Sequence, residues 1–118
     1  MIKLSGVIIT YNEEEHLEKC LASLVNVVDE IVVVDSFSTD KTPEICNAYN
    51  VTFIQHKFEG YIEQKNYALS LANHNYILSL DGDEALSGTL KKSILEVKEL
   101  RKTYKKGFYL DTCILTLE

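Results

Sequence analysis

The segment Asp81, Gly82 and Asp83 has the clearest chemical potential in this sequence of 118 residues. Two carboxylates on either side of a glycine can present several hard oxygens to Mg²⁺ or Mn²⁺ and leave coordination positions open for phosphate oxygens. A cation held there would attract a diphosphate that bare carboxylates repel, and it would stabilise charge on a departing diphosphate. Asp-Gly is also a common turn pair, so the triplet alone does not separate a metal site from a surface turn.

Spacing excludes two other ligand motifs. Counted from Asp81, the sixth and twelfth positions are Leu86 and Lys92, where an EF-hand loop needs Gly and Glu. The chain has no P-loop, and no Gly-x-Gly-x-x-Gly follows the first predicted strand, because the turn from Thr10 to Glu13 lacks glycine. A dinucleotide-binding oxidoreductase is therefore disfavoured.

Short apolar runs alternate with amphipathic stretches, a pattern that predicts a β-α-β-α chain with a mostly parallel, Rossmann-like sheet flanked by helices. Asn12 is the predicted N-cap of the first helix, and Thr42 that of the second, with Pro43 at its first position. We predict strands at 4–10, 31–34 (ending at Asp35), 51–55 (near a sheet edge), 76–80 and 108–117. Helices are predicted after Asn12 and at 42–49, 62–72 and 87–107. The last helix is expected to bury Leu90, Ile94, Val97 and Tyr104.

Polar clusters follow three of the predicted strands, in residues 10–13, 35–38 and 81–84. Ligands of open parallel sheets bind beyond the carboxyl ends of the strands, so the three clusters outline a single site. Lys65 and Gln64, early in a helix, are expected beside it, although a solvated lysine is an alternative interpretation. Tyr11 can stack on a base, but an aromatic residue after a strand is more often a packing residue.

Composition narrows the class of protein. A net charge of -6 and a pI near 5.0 argue against a nucleic-acid partner. No apolar run approaches the roughly 20 residues of a membrane span, and no signal peptide is expected before the first strand. Three cysteines without Cys-x-x-Cys spacing favour a reduced, cytoplasmic setting, and Cys20, Cys46 and Cys113 are interpreted as small core residues. The three histidines show no spacing suited to a metal site.

Four segments in order, residues 7–14, 30–40, 64–69 and 80–84, resemble the family 2 glycosyltransferases across roughly the first 85 residues. Within that family the sequence is most similar to bacterial lipopolysaccharide core β-glucosyltransferases. The resemblance implies a GT-A fold, a nucleoside diphosphate-sugar donor, a divalent cation, and inversion at the anomeric carbon. The implied acceptor is a glycan or lipid-linked glycan of cell-envelope or lipopolysaccharide biosynthesis, which would allow peripheral association with the inner face of the membrane.

The resemblance also assigns residue roles. Asp83 would be the main metal ligand, and Asp81 would lie by the ribose or the metal. Many members carry Asp-Asp-Gly-Ser where this chain has Asp35 to Ser38, so Ser36 replaces a carboxylate that often contacts uracil. UDP is the expected nucleotide, but with Ser36 at this position the motif does not determine which base the donor carries. The implied donor nucleotide-binding residues are Thr10, Tyr11, Glu13, Asp35, Ser36, Lys65 and Asp81.

The carboxylate base of the family lies well beyond the nucleotide-binding half. We therefore expect residues 1–118 to be the donor half of a glycosyltransferase domain, without the acceptor half and with the catalytic base after residue 118. Such a piece would bind donor but transfer sugar poorly. Two alternatives stay open: a sugar-phosphate nucleotidyltransferase, which needs a basic Gly-rich loop after the first strand, and a non-catalytic nucleotide-sugar-binding module.

Overall fold

The computed structural model describes residues 3–101 and 113–116 as an alternating α/β chain. Nearly every element lies where the hydrophobic pattern predicts it. The strands are β1 (Leu4–Thr10), β2 (Glu30–Asp35), β3 (Thr52–Gln55), β4 (Tyr76–Asp81) and β5 (Cys113–Thr116), and the helices are α1 (Leu17–Leu24), α2 (Thr42–Ala48), α3 (Tyr61–Ser70) and α4 (Gly88–Arg101).

The five strands form one parallel sheet in the order β3-β2-β1-β4-β5. The predicted parallel sheet and the edge position of β3 are thus confirmed. Thr10 pairs with Asp35 in β2, and Ile9 pairs with Asp81 in β4. The register therefore places the ends of β1, β2 and β4 side by side, which brings the three polar clusters to one edge of the sheet.

Both faces of the sheet are covered, as the nearly continuous apolar strands require. Alternate residues of β1 point to opposite faces, so Leu4 and Ile8 join one core cluster while Val7 and Ile9 join the other. α1 contributes to the first cluster, and α3 covers the second through Ala68. Within residues 3–101 and 113–116, none of the helices has the length and apolar character to span a membrane.

The prediction that Asn12 caps the first helix is wrong. α1 begins at Leu17, after a turn in which Glu13 O accepts hydrogen bonds from the N–H groups of His16 and Leu17. Asn12 has a positive φ of 49°, and its side-chain oxygen instead accepts from Thr39 N–H at 2.8 Å. The side chain therefore links two loops, which is a tertiary contact that local sequence does not reveal.

Thr42 does not cap the second helix either. Asp40 Oδ1 accepts from Thr42 N–H at 2.9 Å, while Thr42 Oγ1 accepts from Glu13 N–H at 2.9 Å in the loop after β1. Pro43 lies in the first turn as predicted. The hydroxyl is thus used to hold α2 against the neighbouring loop.

The remaining differences are small. The fourth helix begins at Gly88, with Ser87 Oγ accepting from Leu90 N–H, and it buries Ile94 as predicted. Cys20 and Cys46 are buried free thiols, and burial raises the pKa of each to about 12. The predicted strand at 108–117 is observed as β5, whereas Tyr104 and Gly107 lie outside the described residues.

The amino end of the sheet is held by a carboxylate, that of Glu30. Its Oε2 accepts hydrogen bonds from Ser5 Oγ and from the main-chain N–H of Asn73. Its Oε1 accepts a hydrogen bond from the side-chain Nδ2 of Asn73 at 2.9 Å. Burial pushes the pKa of Glu30 upward, but the bonds from Ser5 and Asn73 outweigh it and hold the pKa below its ordinary value of 4.5. Glu30 thus ties β1 and β2 to the loop before β4.

We predict that Glu30→Gln lowers the free energy of unfolding more at pH 7 than at pH 3. A depressed carboxylate pKa contributes stability above the unfolded value of 4.5, and this contribution is lost as pH falls through the folded pKa. Urea unfolding at both pH values measures the difference. Glu96→Gln, at an exposed position of α4, is the matched control. An equal loss for Glu30→Gln at the two pH values would contradict the prediction.

Candidate functional site

A cavity of about 280 Å³ opens at the carboxyl ends of β1, β2 and β4. Both carboxylates and aromatic rings line it. The lining residues are Ile9, Thr10, Tyr11, Glu13, Ser36, Phe58, Tyr61, Gln64, Asp81, Gly82 and Asp83. Eight residues are predicted from the sequence to bind nucleotide or metal. Asp35 and Lys65 lie outside this lining, and the other six belong to it.

Asp35 does not line the cavity but bonds to Thr10, which does. The residue is 0% exposed, and its Oδ1 accepts from Thr10 Oγ1 at 2.7 Å and from Ser38 Oγ at 2.6 Å. Its Oδ2 accepts from Ser38 N–H at 2.8 Å. A buried carboxylate with these partners holds the ends of β1 and β2 together. Direct contact between Asp35 and a base stays a prediction, and the geometry gives this residue a positioning role.

The acidic side of the cavity is built on a tight turn after β4. Gly82 N–H donates to Ile9 O at 3.1 Å, and Glu84 N–H donates to Asp81 O at 3.0 Å. The Glu84 carboxylate accepts from Asp81 N–H at 2.7 Å, so Glu84 stabilises the turn. Asp83 is left exposed at the tip of the turn, where it lines the cavity.

Lys65 reaches the site through Asp81, with 3.2 Å between Lys65 Nζ and Asp81 Oδ1. The two groups form an ion pair at this distance. Within residues 3–101 and 113–116, however, the buried Asp81 Oδ1 has no hydrogen bond of good geometry. Both side chains are partly exposed, so solvent screens this ion pair. Contact between Lys65 and a ligand stays a prediction.

The acidic side carries more negative charge than Lys65 neutralises. Burial, followed by the charge of Asp83, raises the pKa of Glu13 above its ordinary value of 4.5. Among the residues that the structure describes, no group of three or more His, Cys, Asp or Glu side chains is arranged to hold a metal ion. Asp81 and Asp83 lie in the same turn after β4, and both line the cavity.

Three aromatic residues also line the cavity. Tyr11 is 60% exposed and lines the cavity, so it is not the core packing residue that its position after a strand favoured. Phe58 and Tyr61 also line it, and their rings meet edge to face with centroids 5.6 Å apart. Sequence analysis missed both residues. The available signal was their position after β3, a fourth strand that ends at the same edge.

A row of hydrogen-bonded polar side chains joins Ser36 to Gln64 and His56. Gln64 is 1% exposed, and its Nε2 donates to Ser36 Oγ at 3.0 Å. Gln64 Oε1 lies 2.9 Å from His56 Nδ1, and the His56 ring stacks on Tyr67 with centroids 3.8 Å apart. The row fixes Ser36, which lines the cavity, to the first turns of α3.

Phe37 lies in the loop after β2 with a backbone conformation that is unusual for a non-glycine residue. Its φ of 57° lies in the left-handed region, and its side chain is exposed. Phe37 N–H donates to Gln55 Oε1 at 2.7 Å, and the next N–H, that of Ser38, donates to Asp35. This backbone conformation costs a non-glycine residue about 1–2 kcal/mol. The hydrogen bonds to Gln55 and Asp35 hold it in place.

Comparisons show similarity to glycosyltransferases in sequence and structure. Residues 5–106 match the family described as Glycosyl transferase family 2. A protein of Rickettsia felis named "Uncharacterized glycosyltransferase" is 42% identical over 94 residues, which cover 80% of this chain and 33% of that protein. The lipopolysaccharide core biosynthesis glycosyltransferase LpsC of Rhizobium meliloti is 36% identical over 101 residues, which cover 81% of this chain and 37% of LpsC.

A solved structure agrees with these matches. The structure of S. aureus TarS 1–349 in complex with UDP superposes with a TM-score of 0.63 at 30% identity, covering 83% of this chain and 32% of that chain. The predicted GT-A fold is therefore confirmed. The chain spans about a third of the length of the first curated relatives it matches.

We predict that Gly82→Ala destabilises the fold while Gly88→Ala does not. A Cβ at position 82 would lie 2.9 Å from Thr10 Cγ2 and 3.0 Å from Glu13 Cγ, and Thr10 is held by its bond to Asp35. Such overpacking costs about 1–3 kcal/mol. A Cβ at position 88 meets no atom within 4 Å. Urea unfolding measures both variants, and equal stabilities for the two would show that Gly82 is not sterically required.

Proposed function

Because the chain belongs to glycosyl transferase family 2, we propose that it forms the donor-binding half of an inverting glycosyltransferase that uses a UDP-linked sugar. The acceptor we propose is a glycan or glycolipid of cell-envelope or lipopolysaccharide biosynthesis. UDP in the TarS complex and the named role of LpsC support these two choices. We assign the reaction to the cytoplasm, at the inner face of the membrane if the acceptor is a lipid.

The observation that carries the proposal is the cavity at the ends of β1, β2 and β4, which carboxylates and aromatic rings line together. The carboxylates are those of Asp81 and Asp83, and the rings are those of Tyr11, Phe58 and Tyr61. A nucleoside diphosphate has the matching chemistry, since its phosphates need a cation or basic groups and its base can stack on an aromatic ring. Neither the carboxylates nor the aromatic rings alone would select this ligand class.

Asp83 and Asp81 are the residues that would hold Mn²⁺ or Mg²⁺. When bound, the cation supplies positive charge to the diphosphate as it leaves the sugar. Asp83 is free to turn its carboxylate toward the cavity, because it is exposed at the tip of the turn. Lys65 limits the excess negative charge at Asp81, 3.2 Å away, and would adjust its position when phosphate enters.

Transfer requires an acceptor hydroxyl to attack the anomeric carbon from the face opposite the diphosphate. The new carbon–oxygen bond forms as the bond to the diphosphate oxygen breaks, and the electron pair of the broken bond leaves with the diphosphate. A carboxylate base takes the hydroxyl proton. We assign this base to the acceptor half, after residue 118, so the chain alone is expected to bind donor and to transfer sugar weakly.

A sugar-phosphate nucleotidyltransferase is the rival enzyme class. It would need basic or glycine-rich backbone after β1 to hold a triphosphate, but residues 11–16 contain three consecutive glutamates and no glycine. Glu13 from this stretch lines the cavity. The acidic loop therefore favours the transferase.

We predict that Asp83→Asn reduces the gain in UDP affinity on adding Mn²⁺ by at least about tenfold, which equals about 1.4 kcal/mol. The substitution keeps the shape of the side chain, removes its negative charge and replaces one carboxylate oxygen with an amide nitrogen that cannot bind a cation. Isothermal titration of UDP and UDP-glucose with and without Mn²⁺ measures the effect. Glu96→Gln removes the same charge from an exposed position of α4 and should leave the gain unchanged.

Each result of the titration has a separate meaning. Metal-dependent binding of UDP-glucose by the unaltered chain supports the transferase, while a preference for UTP supports the nucleotidyltransferase. Absence of binding to any of these nucleotides would reject the proposed function. An unchanged Mn²⁺ gain in Asp83→Asn would instead reject only the assignment of Asp83.

A further inference from the structure

Residues 57–63, which we call the strap, comprise the loop after β3 and the first residues of α3. The strap is anchored at its two ends. Before it, His56 N–H donates to Asp35 O at 2.9 Å, and after it the buried Gln64 donates its N–H to Gly60 O at 3.0 Å. Among the residues that the structure describes, the seven main-chain N–H groups of the strap have no hydrogen-bond acceptor. A segment with so few hydrogen bonds opens locally at a low cost in free energy.

Gly60 gives the strap a hinge. Its φ of 138° and ψ of 159° lie in a region of backbone conformation that is essentially restricted to glycine. A Cβ at this position would also clash with Glu63 Oε1, although that flexible carboxylate can move away. A residue without Cβ can change φ and ψ with little steric penalty, which is the property that a hinge requires. Because Gly60 lies between Phe58 and Tyr61 in the chain, rotation about it moves their rings.

The rings of the strap line the cavity but stay largely in water. Phe58 is 49% exposed and Tyr61 is 67% exposed, although both belong to the cavity lining. A movement of the strap toward the cavity would bury ring surface that the observed position leaves exposed, and burial of apolar surface is favourable. The gain is largest when a molecule fills the cavity, because the rings then have a surface to contact.

We propose that the strap is a lid, which turns about Gly60 and closes Phe58 and Tyr61 over a molecule bound in the cavity. Closure excludes water from the activated sugar, which limits its hydrolysis, and it slows release of the bound molecule. The identity of that molecule as a nucleotide sugar rests on the proposed function. The hinge and the missing hydrogen bonds are independent of it.

Limited proteolysis tests the lid, because trypsin cleaves after lysine and Lys57 is an exposed residue of the strap. Lys92, exposed on α4, is the internal control, since its protection reports only the stabilisation of the whole fold by the ligand. Cleavage after Lys57 tracks the population of the open strap, so saturating UDP with Mn²⁺ should slow it at least about fivefold more than cleavage after Lys92. Mass spectrometry of the fragments over time measures this protection ratio.

Three variants separate closure of the strap from simple shielding of Lys57 by the ligand. Tyr61→Ala removes a ring that closure would bury, so it should lower the protection ratio at least about twofold. Ile62→Ala, at the next position, removes a side chain that is 73% exposed and outside the cavity lining, so it should leave the ratio unchanged. Gly60→Ala disfavours the observed φ of 138°. It should therefore slow cleavage after Lys57 without UDP and lower the ratio.

Titration calorimetry on the same samples distinguishes the possible failures. Equal protection of Lys57 and Lys92 in a chain that binds UDP would overturn the lid but not the proposed function. An unchanged ratio in both Tyr61→Ala and Gly60→Ala would show that UDP shields Lys57 directly, which also overturns the lid. A chain that binds no UDP with Mn²⁺ would reject the proposed function, and closure over a nucleotide sugar with it. If Gly60→Ala does not fold, Tyr61→Ala decides the outcome, because its side chain is exposed and contributes little to stability.

Discussion

The buried carboxylate of Asp35 is the interaction on which the rest of the site depends. A charged group without exposure is tolerated only when hydrogen bonds satisfy it, and Thr10 and Ser38 supply three. These bonds fix the end of β1 against the loop after β2. The left-handed backbone of Phe37 and the close approach of Gly82 to Thr10 both follow from this fixed arrangement.

The two ends of the sheet use carboxylates in opposite ways. At the amino end, Glu30 is satisfied by Ser5 and Asn73, and Asp29 accepts from Leu4 N–H and pairs with Lys98. Those carboxylates contribute to stability. At the carboxyl end, Asp81 has one imperfect partner and Asp83 is exposed, while the pKa of Glu13 is raised. Unsatisfied negative charge at this end is the property that the proposed cation would use.

The order of the strands determines which loops meet at the cavity. Because β1 lies between β2 and β4, the acidic turn and the Ser36 loop flank the same cavity from two sides. α3 connects these sides, since it carries Gln64 toward Ser36 and Lys65 toward Asp81. Consecutive residues of one helix thus contact the loop after β2 and the turn after β4.

Sequence by itself determined the alternation of strands and helices, the parallel sheet and the edge that carries Asp81 and Asp83, because buried strands and amphipathic helices have distinct hydrophobic periods. Only the tertiary structure decided the partners of polar side chains. Asn12 and Thr42 look like local caps, but each bonds to a loop about 27–29 residues away. Phe58 and Tyr61 join the site for a related reason: strand order brings the end of β3 to the same edge of the sheet, which no local pattern encodes.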